Sequence, residues 1–171
     1  GKGRGGRERG TARGREVFPI VKDDGYSPEA ARRFLREHLL VSWLRPESAL
    51  WDAIASGLLA GQEMRSPSLD LGCGAGIFSF ITRGGAFAPG YDRYLDPPLP
   101  APESIERKAG SGFTHGIDRD AAGLAIAGRL GFYGSLACRD VQAGLPFGDA
   151  SLRSVFSNII YWLDRPGDVL A

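Results

Sequence analysis

Residues 68–76, Ser68-Leu69-Asp70-Leu71-Gly72-Cys73-Gly74-Ala75-Gly76, decide the fold. A short strand runs into glycines at every second position, and residues 77–82 then resume an apolar helical pattern, so the unit reads strand, turn, helix. Glycines at 72, 74 and 76 let the backbone pass close to a ligand. A dinucleotide fingerprint would need its third glycine at position 77, which is Ile77, so the G-x-G-x-x-G spacing is not met.

Downstream, strand and helix patterns alternate: a strand at 113–118, a helix at 121–130, a third strand at 135–139 and a fourth at 153–160, rich in Val, Phe and Ile. Such alternation calls for a parallel sheet. Upstream, Ser27-Pro28-Glu29 starts a helix running to about residue 44, with Phe34, Leu35, His38, Leu39 and Ser42 on one stripe. Pro46 opens a second helix, whose pairs Ala49/Leu50, Ala53/Ile54 and Gly57/Leu58 recur at helical spacing until Gly61. Residues 16–65 are therefore expected to form an N-terminal helical cap, and 66–171 a sheet domain. Between them and the second strand, residues 84–112 carry prolines at 89, 97, 98, 100 and 102 and read as a long loop or lid, with a short helical turn at 103–108.

An acid two places before G-x-G-x-G resembles motif I of the class I S-adenosylmethionine-dependent methyltransferases, in particular their type 11-like domains. The resemblance covers roughly residues 66–171 and implies a Rossmann-like α/β fold with S-adenosylmethionine as cofactor. It also implies the strand order 3-2-1-4, with a crevice between the first and fourth strands. It places Asp70, Gly72, Cys73, Gly74 and Gly76 near the amino-acid and sugar parts of that cofactor. The carboxylate ending Gly116-Ile117-Asp118 would accept hydrogen bonds from both ribose hydroxyls, with Arg119 beside it. In Arg139-Asp140-Val141 the acid would meet the adenine amino group and Val141 the ring. Residues 145–158, opening on Leu145-Pro146-Phe147, look like the family's approach to its fourth strand, ending at Asn158. Beyond it, Tyr161 and Trp162 would face the methyl group and the acceptor.

Two features depart from the family. Asp118 lies 42 positions after Gly76, against about 20 in a nucleotide-binding unit, so residues 84–112 are an insertion; its Tyr91 and Tyr94 are substrate-contact candidates. The family's sheet has seven strands, and the sequence stops in the helix after the fourth. Its apolar residues Val155, Phe156, Ile159 and Ile160 would form an open edge needing later strands or a protein partner to cover it.

Charge and composition narrow the partners. Lys2, Arg4, Arg7, Arg9, Arg13 and Arg15 sit in a Gly/Arg-rich tail, residues 1–15, expected to be disordered; the remainder holds 15 basic and 19 acidic residues, about −4 net. No global basic face is expected, which disfavours nucleic acid. Ile159 and Ile160 stand where a DNA amino-methyltransferase carries two prolines. No membrane span or secretory signal is seen, Cys73 and Cys138 read as reduced thiols, no metal site is expected, and a cytoplasmic location follows. His38 and His115 read as structural, and no general base is assigned. The expected reaction is methyl transfer to a small-molecule or lipid/glycan-type acceptor. The alternatives are an RNA methyltransferase using the basic tail, and a non-catalytic fragment acting through a partner.

Overall fold

A computed structural model describes residues 28–95 and 100–170; the expected disordered tail lies outside them. Helices α1 (Pro28–Ser42) and α2 (Pro46–Leu59) precede β1 (Ser68–Leu71), α3 (Ile77–Thr82), β2 (Ala86–Phe87), β3 (Ile105–Arg107), β4 (Phe113–Asp118), α4 (Ala121–Arg129), β5 (Tyr133–Cys138), β6 (Ser154–Phe156) and α5 (Pro166–Leu170). The main sheet runs β5-β4-β1-β6 with every pair parallel. This is the expected 3-2-1-4 order of a Rossmann-like α/β fold, with the chain reversing direction across the sheet between β5 and β6. Among the described residues, no helix is long and apolar enough to cross a membrane.

The period of two in β1 divides the interior. Leu69 and Leu71 join Ile117 and Val141 in one apolar cluster, against which Leu145, Phe147, Leu152, Ile159 and Leu163 pack. Asp70 belongs to the other face, where Ser79 of α3 and Tyr133 of β5 meet its carboxylate. The larger cluster holds Phe34 and Val41 of α1, Ala53 of α2, Phe80 and Ile81 of α3, and Phe87, Phe113, Leu130 and Phe132. The two N-terminal helices thus share a core with the sheet domain. Along α1 the buried residues are Ala31, Phe34, His38, Val41 and Ser42; Leu39, expected on that stripe, is only half-buried.

His38 ties three helices together. Its Nε2 lies 2.9 Å from Ser56 Oγ, which lies 2.7 Å from Thr82 Oγ1, so α1, α2 and α3 are joined by one buried polar chain. Burial pushes the imidazole down to about 4, and Asp52, 4.0 Å from Nδ1 and half-exposed, is too distant to hold a proton there. The structural reading of His38 agrees with this placement.

Three local expectations are corrected. Residues 84–112 are not without regular structure: β2 and β3 pair antiparallel, Ala86 opposite Arg107 and Phe87 opposite Ile105. The prolines fall between the paired stretches, at 89 to 102, so neither strand has to accommodate one. Phe87 anchors the ribbon against Phe80 and Tyr91, with ring centroids 5.3 and 4.9 Å apart. The helical turn expected at 103–108 is a 3₁₀ turn at Pro102–Ser104 followed by β3. The fourth strand, expected over 153–160, ends at Phe156. Beyond it Ile159 turns back onto the Leu69/Leu71 cluster, and Ile160–Trp162 forms a 3₁₀ turn. The edge is consequently less apolar than expected: Phe156 stacks on Phe78 at 5.6 Å and is half-buried, while Val155 is 49% exposed.

Candidate functional site

The glycine turn is built as a left-handed zigzag, with φ of +76° at Gly72, +51° at Gly74 and +70° at Gly76. Each angle lies where an L side chain is strained, but the three glycines differ in what surrounds them. A Cβ on Gly72 would stand 2.2 Å from Ile159 Cδ1, and one on Gly76 would stand 2.8 Å from Tyr133 Cε2; on Gly74 the nearest atom would be Asp118 Oδ2 at 4.0 Å. Protein packing therefore accounts for the absence of a side chain at 72 and 76, and backbone angle alone for 74. The turn is tied to β4 by Gly72 N–H and Cys73 N–H, both donating to the Ile117 carbonyl at 2.8 and 3.0 Å. From the other side the start of α4 presses in: a Cβ on Gly123 would lie 3.0 Å from the Gly74 carbonyl carbon.

Asp118 closes β4. Its Oδ2 accepts the Gly74 N–H at 2.7 Å and its Oδ1 accepts the Asp120 N–H at 2.8 Å, so the carboxylate is fixed between the turn and the cap of α4. Asp120 caps that helix through Ala122 N–H. At the end of β5, Arg139 N–H donates to the Asp118 carbonyl and Arg139 Nε to the Gly144 carbonyl. Asp140 Oδ1 accepts the Gln142 N–H at 2.9 Å, which starts the 3₁₀ turn Val141–Ala143.

These strand ends frame a crevice of about 440 Å³, lined by Gly72, Asp118, Arg119, Arg139, Asp140, Val141, Gln142, Ile159, Trp162 and Leu163. It lies at the carboxyl ends of parallel strands, the general ligand position of open α/β sheets. Six expected site residues thus come together: Gly72, Asp118, Arg119, Asp140, Val141 and Trp162. Asn158 is exposed in the bend after β6 and does not line the crevice, nor does Tyr161, which is 75% exposed and packs on Trp162 at 5.2 Å. Tyr91 and Tyr94 are elsewhere: Tyr91 is buried against Phe87, and Tyr94 meets Trp43 edge-on at 5.8 Å. Tyr91 thus packs on β2 and Tyr94 on Trp43, the residue after α1, and neither lines the crevice.

Asp70 is also not on the crevice wall. It is 1% exposed, and its Oδ2 accepts O–H groups of Ser79 at 2.5 Å and Tyr133 at 2.6 Å. Burial raises its carboxyl to about 6, against the pull of the Ser79 and Tyr133 hydroxyls; Asp118 raises it further and Arg83 lowers it. Cys73, half-buried beside it, is pushed up to about 12 by burial and by the charges of Asp70 and Asp118, so it is held as a neutral thiol. Neither Gly74, bonded to Asp118, nor Gly76, packed on Tyr133, lines the crevice.

Sequence reasoning missed Arg139, Gln142, Ile159 and Leu163 on the crevice wall, and Ser79 and Tyr133 as partners of Asp70. Arg139 and Gln142 flank Asp140 and Val141, so their proximity was readable. The apolar run 153–160 reads as a strand, which conceals the return of Ile159 over Gly72. Tyr133 sits two strands away from Asp70 and carries no local signal.

The fold and the crevice define a Rossmann-like α/β domain with an open cleft at the switch point of its sheet. No protein family, curated protein or solved structure matches the chain.

Proposed function

We propose that the crevice binds S-adenosylmethionine and that the protein transfers its methyl group to a small-molecule acceptor of metabolite, lipid or glycan type. The observation that carries this reading is Asp118. Each of its oxygens is held by one backbone N–H, and an ionised carboxylate offers about four acceptor sites, so capacity remains on both oxygens for a pair of ribose hydroxyls. The residues fit such a cofactor in other respects. The crevice volume of about 440 Å³ lies within the range of small-ligand sites. Val141, Ile159 and Leu163 offer apolar surface to a base, and Asp140 stands beside Val141 to accept an exocyclic amino group.

When bound, the cofactor supplies an activated methyl on a sulfonium centre, and the chain's task is to orient it and exclude water. Asp118 fixes the sugar, and the backbone at Gly72 sets how closely the ligand approaches the turn. Ile159 and Trp162 close the side of the crevice toward β6. The acidic balance of residues 16–171 favours a small acceptor over nucleic acid.

Calorimetry with S-adenosylmethionine and S-adenosylhomocysteine, with NAD as control, tests the reading. The expected result is binding of the first two only. Asp118→Ala should weaken it by about 100-fold, since two charge-assisted hydrogen bonds to the sugar disappear. A folded chain that binds neither compound, or prefers NAD, would overturn the proposal.

A further inference from the structure

Behind the glycine turn, on the face of β1 away from the crevice, lies a polar cluster that the proposed function does not use. Asp70 is opposite Gly116 of β4, which is opposite Leu136 of β5. Tyr133 belongs to β5, so its ring must cross β4 to reach Asp70. It can do so because β4 has no side chain at that point: a Cβ on Gly116 would stand 2.9 Å from Tyr133 Cδ1 and 2.8 Å from Leu136 Cδ2. On its other side the ring is bounded by Gly76, whose Cβ would lie 2.8 Å from Cε2 and 3.1 Å from the hydroxyl. Tyr133 thus threads between two glycines, one in the sheet and one in the turn, and delivers an O–H to Asp70 Oδ2 at 2.6 Å.

We infer that Tyr133 is a positioning residue that keeps Asp70 ionised behind the glycine turn, so that a buried negative charge, on the face of β1 away from the crevice, acts on a cationic cofactor by its field across the turn. The inference rests on the proposed S-adenosylmethionine reading for the identity of that cation. A carboxylate taken out of water tends to take up a proton, and donors to its oxygens oppose this. Asp70 has two such donors on one oxygen, Ser79 from α3 and Tyr133 from β5. The Tyr133 phenol is itself raised above its ordinary value by burial and by the neighbouring carboxylate, so it stays a donor. The other charged or titratable groups acting on the site are Asp118 at the end of β4, Arg83 at the end of α3 and Cys73 in the turn. Asp118 disfavours the charge on Asp70 and Arg83 favours it; Cys73 is neutral. Removing the Tyr133 hydroxyl while keeping its ring therefore alters the charge balance and leaves the packing between Gly76 and Gly116 in place.

The experiment is Tyr133→Phe, with S-adenosylmethionine affinity measured from pH 5 to 8.5 and the Asp70 carboxyl followed by carbon NMR without ligand. Wild-type affinity should fall on the acid side as Asp70 protonates near pH 6. In Tyr133→Phe that limb should move up by about one pH unit, the loss of one hydrogen bond to a charged acceptor, while affinity above pH 8 stays within about twofold. Ser79→Ala, which removes the other donor, should move the limb the same way. A uniform drop in affinity with an unmoved limb would overturn the inference, because it would make Tyr133 a packing residue only. If wild type bound no S-adenosylmethionine while the Asp70 titration still moved in the variant, the cofactor reading would fall and Tyr133's hold on the charge would stand.

Discussion

Gly76→Ala should destabilise the protein by about 2–5 kcal/mol, combining roughly 1–2 for a side chain in the left-handed region with 1–3 for overpacking. The new methyl has little room to relax into: Tyr133 Cε2 at 2.8 Å, Tyr133 Oη at 3.1 Å and Ala127 Cβ at 3.3 Å surround it, and Tyr133 is itself wedged over Gly116. Displacing that ring also pulls its hydroxyl from Asp70. Gly74→Ala, two residues earlier, meets nothing nearer than Asp118 Oδ2 at 4.0 Å, so its stability loss should be the backbone strain alone, about 1–2 kcal/mol. Urea unfolding should show lowered midpoints with an unchanged slope in both variants, and a clearly larger fall for Gly76→Ala. Equal losses would mean that the contacts of the Tyr133 ring do not constrain the turn.

The contrast between these two glycines shows how far sequence reading reaches. The strand pattern at Ser68–Leu71, the glycine run and the later strands suffice for a parallel sheet, because periodicity and turn chemistry are local signals, while the strand order came with the family resemblance. Asp118 and Asp140 were legible only through the resemblance, since an acid at a strand end is by itself as readily a cap or turn residue, which both also are here. What sequence could not supply was direction and distance. Asp70 and Asp118 look equivalent as acids at strand ends, yet the pleat turns Asp70 toward α3, while Asp118, at the terminal position of β4, reaches the crevice. Gly72, Gly74 and Gly76 look like one motif, yet two of them are required by Ile159 and Tyr133, contacts spanning 87 and 57 positions. The strand pair β2–β3 was hidden because composition averaged over 84–112 is dominated by prolines that the two strands do not contain.

Asp70→Asn should stabilise the protein at pH 7–8 by roughly 3 kcal/mol, although it removes a buried charge tied to the proposed site. Burial pushes the Asp70 carboxyl up from its ordinary value of 3.8 to about 6 in the folded protein. The folded state therefore binds the proton more tightly, and stability from this group declines as pH rises from 3.8 to about 6. The amide of asparagine stays neutral and its oxygen can still accept from Ser79 and Tyr133. His38 works in the opposite sense: its imidazole falls from 6.5 to about 4 on folding, so the unfolded chain binds the extra proton and stability is lost as pH falls through that window. Between pH 4 and 6 the two linkages nearly cancel, and wild-type stability should carry little net dependence from this pair. Removing either partner exposes the other. Relative to wild type, Asp70→Asn should gain most at pH 7–8 and nothing at pH 3.5, so its own acid limb steepens. His38→Gln, which can still bond Ser56, should lose its disadvantage as the pH drops from 6.5 to 4. Unfolding free energies at five pH values for the three proteins decide this: parallel curves would mean that neither group is perturbed by folding. Curves for Asp70→Asn and wild type that meet at acid pH and separate above it would mean that the fold maintains a destabilising carboxylate beneath its glycine turn, a pattern typical of functional sites, and one that a purely structural role for Asp70 would leave without a physical reason.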